Sequence, residues 1–242
     1  IGPFEAWGMR WQVPWGKHVP ANYREVHETK HAAGIIERDN VLAVVTIRNP
    51  YRWIHSMCKN SYTAKWHHGS KRHPCPHIAD KIHPNGIQVS VKYDRREDLH
   101  DSVAHLWNDW YAKYWRNATF PYVIVRFEDL VFYPKNVTTQ LCECAGGQIR
   151  QDQPFQYIKD SAKDGPGHGK IKERTGMIDA WIRYAKPLEP GAGFQRTLDV
   201  EKAKEFLDAD LMKIFHYEHP PEQTTTTSDN NNNNKEQQEE EE

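Results

Sequence analysis

An α/β fold built on a parallel sheet is what this 242-residue sequence predicts, and three observations lead there. Residues 41–47 are an unbroken run of apolar and β-branched side chains, which reads as a short strand buried on both faces, as parallel sheets require. Over 102–115 the pattern changes to a helical one. Leu99, Val103, Leu106, Trp107, Trp110, Tyr111, Tyr114 and Trp115 recur at helical spacing and read mostly as core. Further helices are expected at 134–145 and 198–215. The first is opened by Pro134 and stopped by Gly146 and Gly147, while the second carries Phe206, Leu207, Leu211, Ile214 and Phe215 as one apolar stripe.

The chemistry concentrates where the first strand ends. Arg48 stands at its C-terminal edge, Asn49 and Pro50 turn the chain, and Pro50 suits a first helical turn because its missing N–H needs no partner there. Ser56 falls within two turns of that helix's start. A guanidinium, a hydroxyl and a helix N-terminus together suit a phosphate, and ligands of open α/β sheets bind beyond the carboxyl ends of the strands.

Arg48, Asn49, Pro50 and Ser56 resemble, in identity and spacing, the donor-binding segment of the sulfotransferase family. That family reads the 3′-phosphate of 3′-phosphoadenosine 5′-phosphosulfate (PAPS) with an Arg after a buried strand and a later Ser. Residues 121–134 are similar to the family's second strand and the Glu-Asp-Leu turn after it. There Glu128 and Asp129 are expected to cap and pair with nearby donors rather than to catalyse. Lys17 and His18, followed by Pro20, resemble the stretch that carries the catalytic base of cytosolic members, which makes His18 the expected base and Lys17 its electrostatic helper. Glu25 and Glu28 stay as rivals, because carbohydrate sulfotransferases of the Golgi often use a Glu. Late in the chain, Lys170, Lys172, Arg174 and Gly176 loosely resemble the Gly-rich basic loop that closes over the nucleotide, with Trp181 displaced from its usual place.

The resemblance covers about residues 11–57 and 98–217 and implies a three-layer, parallel-sheet, P-loop-like sulfotransferase fold that is N-terminally incomplete. The family's own phosphate loop, with a Lys and a Ser or Thr after the first strand, has no match here. Gly2 and Pro3 are no such loop, and the expectation is a chain whose first strand and donor loop stand upstream. A membrane anchor in that upstream segment is part of the same expectation. The implied reaction transfers a sulfuryl group from PAPS to a hydroxyl or amine, on a carbohydrate or another small acceptor, with no metal or second cofactor required. Two other classes stay open: a nucleotide-binding module that does not catalyse, and a P-loop-type kinase, for which neither magnesium ligands nor a Gly-rich loop with Lys is visible.

Composition bounds the rest. A net charge of −1 argues against a nucleic-acid binder recognised by bulk charge, so any anion site is local. Residues 1–219 read as one α/β domain, 59–97 as an insertion that shapes the acceptor side, and 220–242 as a disordered Thr/Asn/Gln/Glu-rich tail. The insertion gathers His67, His68, His73, Cys75, His77 and His83, but without a clean pair of zinc-ligand spacings. The four cysteines, Cys58, Cys75, Cys142 and Cys144, do not fix the redox compartment; Cys142 and Cys144 lie on poorly aligned faces of one helix. Asn117 and Asn136 head two N-glycosylation sequons, consistent with a Golgi location, with the cytoplasm as the alternative.

Overall fold

The structure, a computed structural model, describes residues 19–24, 41–68, 75–93, 96–157 and 176–222. It is a mixed α/β fold with one small parallel and one small antiparallel sheet. The parallel pair is β1 (Ala43–Ile47) and β5 (Tyr122–Arg126), in register from Ala43 opposite Tyr122 to Ile47 opposite Arg126. α1 (Pro50–Met57) leaves the end of β1, and the antiparallel sheet follows in the order β2 (Ala64–Trp66), β3 (Val89–Tyr93), β4 (Arg96–His100). Then come α2 (Val103–Trp115), and after β5 the helices α3 (Phe127–Phe132), α4 (Pro134–Cys144), α5 (Met177–Ala185), α6 (Thr197–Phe206) and α7 (Ala209–Ile214).

β1 is buried on one face, not two. Val45 and Ile47 are buried, while Val44 and Thr46 are exposed, as the two-residue period of a strand dictates when one face is covered. The cover is α2. Ser102 caps it by accepting the His105 N–H, and Val103, Leu106, Trp107, Tyr111 and Tyr114 are buried along it. Three aromatic heads on that face donate to carbonyls: Trp107 Nε1 to Arg48 (3.1 Å), Tyr111 to Thr46 (3.1 Å) and Tyr114 to Val19 (3.0 Å). Each buries a large ring and satisfies its polar tip, so none of these rings is offered to a ligand. Leu99 is not part of this helix. It points outward from β4, 61% exposed.

The antiparallel sheet extends past the expected insertion boundary at residue 97, since β4 leads directly into α2. β3 alternates as a half-buried strand should, with Val89, Val91 and Tyr93 inward. Two of the fastenings that hold residues 75–83 to the rest stand out. One is a disulfide between Cys58, at the end of α1, and Cys75. The other is Asp199 on α6, only 2% exposed, which accepts from the Ile78 N–H (2.8 Å), faces His77 Nδ1 (3.1 Å) and pairs with Arg196 (Nε, 2.8 Å). Reduction of Cys58–Cys75 is expected to cost roughly 3 kcal/mol, the loop-entropy value for a closure of this length. Thermal melts with and without reductant, using Cys58→Ser as the control that no longer responds, measure it.

The helix expected over 198–215 is two helices. Leu207 is extended, and Asp208 starts α7 by capping the Leu211 N–H (3.0 Å) while chelating Arg116 (2.7 and 3.0 Å). Asn108 bridges the break, donating to the Phe206 carbonyl (2.7 Å) and accepting from the Asp208 N–H (2.9 Å). A capping side chain with a second ionic partner outweighs one more helical turn here. α4 ends as its sequence predicts, with Ala145 at the C-cap and Gly146 at φ +76°.

Candidate anion site at the end of β1

The site is built from the β1–α1 corner outward. Asn49 follows β1 as the N-cap of α1, and its Oδ1 accepts from the Tyr51 and Arg52 N–H groups (3.1 and 3.3 Å). The Asn49 N–H is held by Glu128 Oε1 (3.0 Å), and Glu128 Oε2 accepts from Tyr217 (3.0 Å). Glu128 therefore ties the ends of β1 and β5 to the C-terminal segment, the structural role expected of it. Asp129 lies 3.8 Å from Arg126. The capping has a chemical consequence. The first amides of α1 already have acceptors, so recognition of an anion falls to side chains and not to the helix N-terminus that the sequence suggested.

Arg48 is the side chain placed to do it. Its guanidinium lies 5.6 Å from the Phe127 ring and 5.3 Å from the Tyr184 ring, between β5's exit and α5. Among the described residues its buried Nε finds no hydrogen-bond partner, and no carboxylate pairs with it. Arg52, one turn into α1, sits over the same Tyr184 ring at 5.2 Å and donates to the Arg183 (3.0 Å) and Lys186 (2.5 Å) carbonyls at the end of α5. Burial, and then the nearby Arg48 charge, press the Arg52 guanidinium below its ordinary value, against the opposing pull of Tyr184. Burial raises the Tyr184 phenol, which Arg48 partly offsets and Glu128 reinforces. Among the described residues, two guanidinium groups around one ring with Glu128 behind them make a corner whose chemistry suits an anion.

Ser56 follows Arg52 by one turn, and its hydroxyl donates to the Trp53 carbonyl at 2.6 Å. To give a proton to a phosphate it has to leave that bond, so it is a weaker contributor than its spacing implies. Ser56→Ala is accordingly expected to weaken binding of adenosine 3′,5′-bisphosphate by no more than about tenfold, one net hydrogen bond's worth. Parallel calorimetric titrations of variant and parent decide it.

Of the expected nucleotide loop, Gly176 is described, at the head of α5. It is the N-cap of α5, whereas Tyr184 is in its last turn, and eight residues at 1.5 Å each separate the two by about 12 Å. Lys17, His18, Glu25, Glu28, Lys170, Lys172 and Arg174 lie outside the described residues. Val19, next after His18, is held at Tyr114, two turns along α2 from the Trp107 that holds Arg48. Among the described residues no group of three His, Cys, Asp or Glu side chains is placed to hold a metal ion, and no helix is long and apolar enough to cross a membrane. Sequence reasoning missed Arg52 and Tyr184. Arg52 had a signal, a second Arg in the first turn of the helix that follows Arg48. Tyr184 had none, because only the fold carries α5 to β1. Compared with models of known families, with curated proteins and with solved structures, the chain finds no match.

Proposed function

We propose that this chain is a PAPS-dependent sulfotransferase domain of the P-loop-like fold, acting on a hydroxyl or amine, most simply of a carbohydrate. The observation that carries the reading is Arg48: a guanidinium at the carboxyl end of a parallel strand, without an anionic partner among the described residues, framed by two rings and seconded by Arg52. That is the place where open α/β sheets receive ligands, and the side chain that reads phosphate best. Arg48, with Ser56 as the lesser partner, holds the donor's 3′-phosphate. Lys170, Lys172 and Arg174 close over the nucleotide.

In the reaction, His18 removes the acceptor's proton as the acceptor oxygen or nitrogen bonds to sulfur. The bond from sulfur to the bridging oxygen breaks, and adenosine 3′,5′-bisphosphate leaves with the electron pair. The Cys58–Cys75 disulfide and the two sequons support an oxidising compartment such as the Golgi lumen.

Calorimetric titration with adenosine 3′,5′-bisphosphate, beside 5′-AMP, tests the donor site. A clear preference for the ligand with the 3′-phosphate is expected, and equal affinity in the folded protein sinks the proposal. Turnover of PAPS then separates a transferase from a module that only binds nucleotide. For an active preparation, His18→Ala is expected to lower turnover by about 10²–10⁴-fold with nucleotide affinity unchanged. Unchanged turnover would move the base to Glu25 or Glu28.

A further inference from the structure

An open groove of about 690 Å³ runs between α4 and α5; Arg48 is not among its lining residues, and the reaction proposed above gives it no task. Its walls are aromatic: Phe132 and Tyr133 before α4, Tyr157, and Trp181 on α5. These rings are 37–63% exposed, and Trp181 is locked in place by Nε1 donating to the Val131 carbonyl at 2.6 Å. A cluster of this kind facing solvent calls for an occupant. One wall residue is Asn136, exposed in the first turn of α4 and followed by Val137 and Thr138, which completes a glycosylation sequon.

The geometry points to the chain's own N-linked glycan as that occupant: Asn136 is glycosylated, and its first N-acetylglucosamine lies in the groove against Tyr157 and Trp181. Three observations and one general property of sugar rings converge on this occupant. Asn136 lines the groove, and its Oδ1 accepts from Gln140 Nε2 (3.2 Å), so that Nδ2, the atom that carries the sugar, is not used by this bond. The C–H face of a pyranose ring is complementary to the electron-rich face of an aromatic ring. Lys135 and Thr139 add polar groups for the hydroxyl and acetamido substituents. The Cys58–Cys75 disulfide belongs to the same compartment as glycosylation.

In the transfer, Nδ2 displaces the pyrophosphate of a lipid-linked oligosaccharide. The new bond joins Nδ2 to the anomeric carbon, the lipid pyrophosphate leaves, and one amide proton is released. Because α4 encloses the sequon, the transfer belongs to the nascent chain. Asn117, the other sequon, is exposed in the turn after α2 and lines no part of this groove, which makes it the internal control.

The test uses the full chain secreted from eukaryotic cells. Intact mass of parent, Asn136→Gln and Asn117→Gln shows which sites carry sugar. In the Asn117→Gln background, the remaining glycan is then trimmed to its first sugar or removed entirely, and melting is compared. Trimming is expected to leave Tm unchanged, while complete removal lowers it by about 2–4 °C. Tyr157→Ala, which alters an exposed ring, is expected to abolish that difference. An unoccupied Asn136, or a Tm indifferent to complete removal in the Asn117→Gln background with Tyr157 intact, overturns the inference.

Discussion

Arg48→Ala is expected to weaken adenosine 3′,5′-bisphosphate binding roughly 100-fold and to leave 5′-AMP binding nearly as it was. Two charge-assisted hydrogen bonds from one guanidinium fork to a phosphate, at ~1.5 kcal/mol each, amount to that factor. Arg48→Lys should fall between the two, since it keeps the charge and loses the fork. The variant also gives up the contacts with Phe127 and Tyr184, at about 0.5–2 kcal/mol. It therefore melts somewhat lower, and binding is to be measured well below its midpoint. Titration of both nucleotides against parent and variant isolates the 3′-phosphate. Equal losses for the two ligands would make Arg48 a structural brace between β1 and α5, and the sulfotransferase reading would lose its main support.

Asp199→Ala is expected to cost about 3 kcal/mol or more in stability, the range for breaking a buried ion pair, at its lower end because Arg196 is 32% exposed. The loss falls on three groups at once: Arg196, His77 and the buried Ile78 N–H. The pH dependence has a definite sign. Burial alone would raise the Asp199 carboxyl, but the Arg196 hydrogen bonds, then the Ile78 N–H and the Arg196 charge, hold it below its ordinary value. A carboxylate with a depressed folded-state pKa adds stability above its unfolded value near 3.9 and loses it as pH falls through the folded value. Denaturant midpoints of the parent should therefore drop steeply below about pH 4. Asp199→Asn, with no carboxyl to titrate, should start lower and lose this part of the slope. Parallel pH profiles for the two would refute the assignment.

The parts of the fold that were legible in the sequence are those fixed by local chemistry. The apolar run before Arg48, Pro50 at a helix start, the ring spacing on α2 and the Gly146–Gly147 stop each carry their physical cause in neighbouring residues. β3 was not read, although Val89, Val91 and Tyr93 alternate as a half-buried strand does, because it lies within the stretch expected to be an insertion. β4 was not legible, because Arg96, Glu97 and Asp98 have little strand propensity and are carried by pairing with β3. At the site, Arg48 stood out by position. Its surroundings did not, since Phe127 and Tyr184 reach it only through tertiary packing. The capping of α1 by Asn49 was written in the residue type, yet its effect on anion recognition appears only when each amide's acceptor is known.

The register of the parallel pair has a consequence for how the molecule assembles. Each rung joins β1 to a strand on the far side of the antiparallel sheet and α2, so a long stretch of chain must be looped closed before the first β1–β5 bond can form. The β3–β4 hairpin and α2 need only near neighbours in sequence and can condense early. The Arg48 corner sits at the last rung of the late-forming ladder. A refolding chain should thus recover its helical circular dichroism well before it recovers affinity for nucleotide, with recognition the final event of folding.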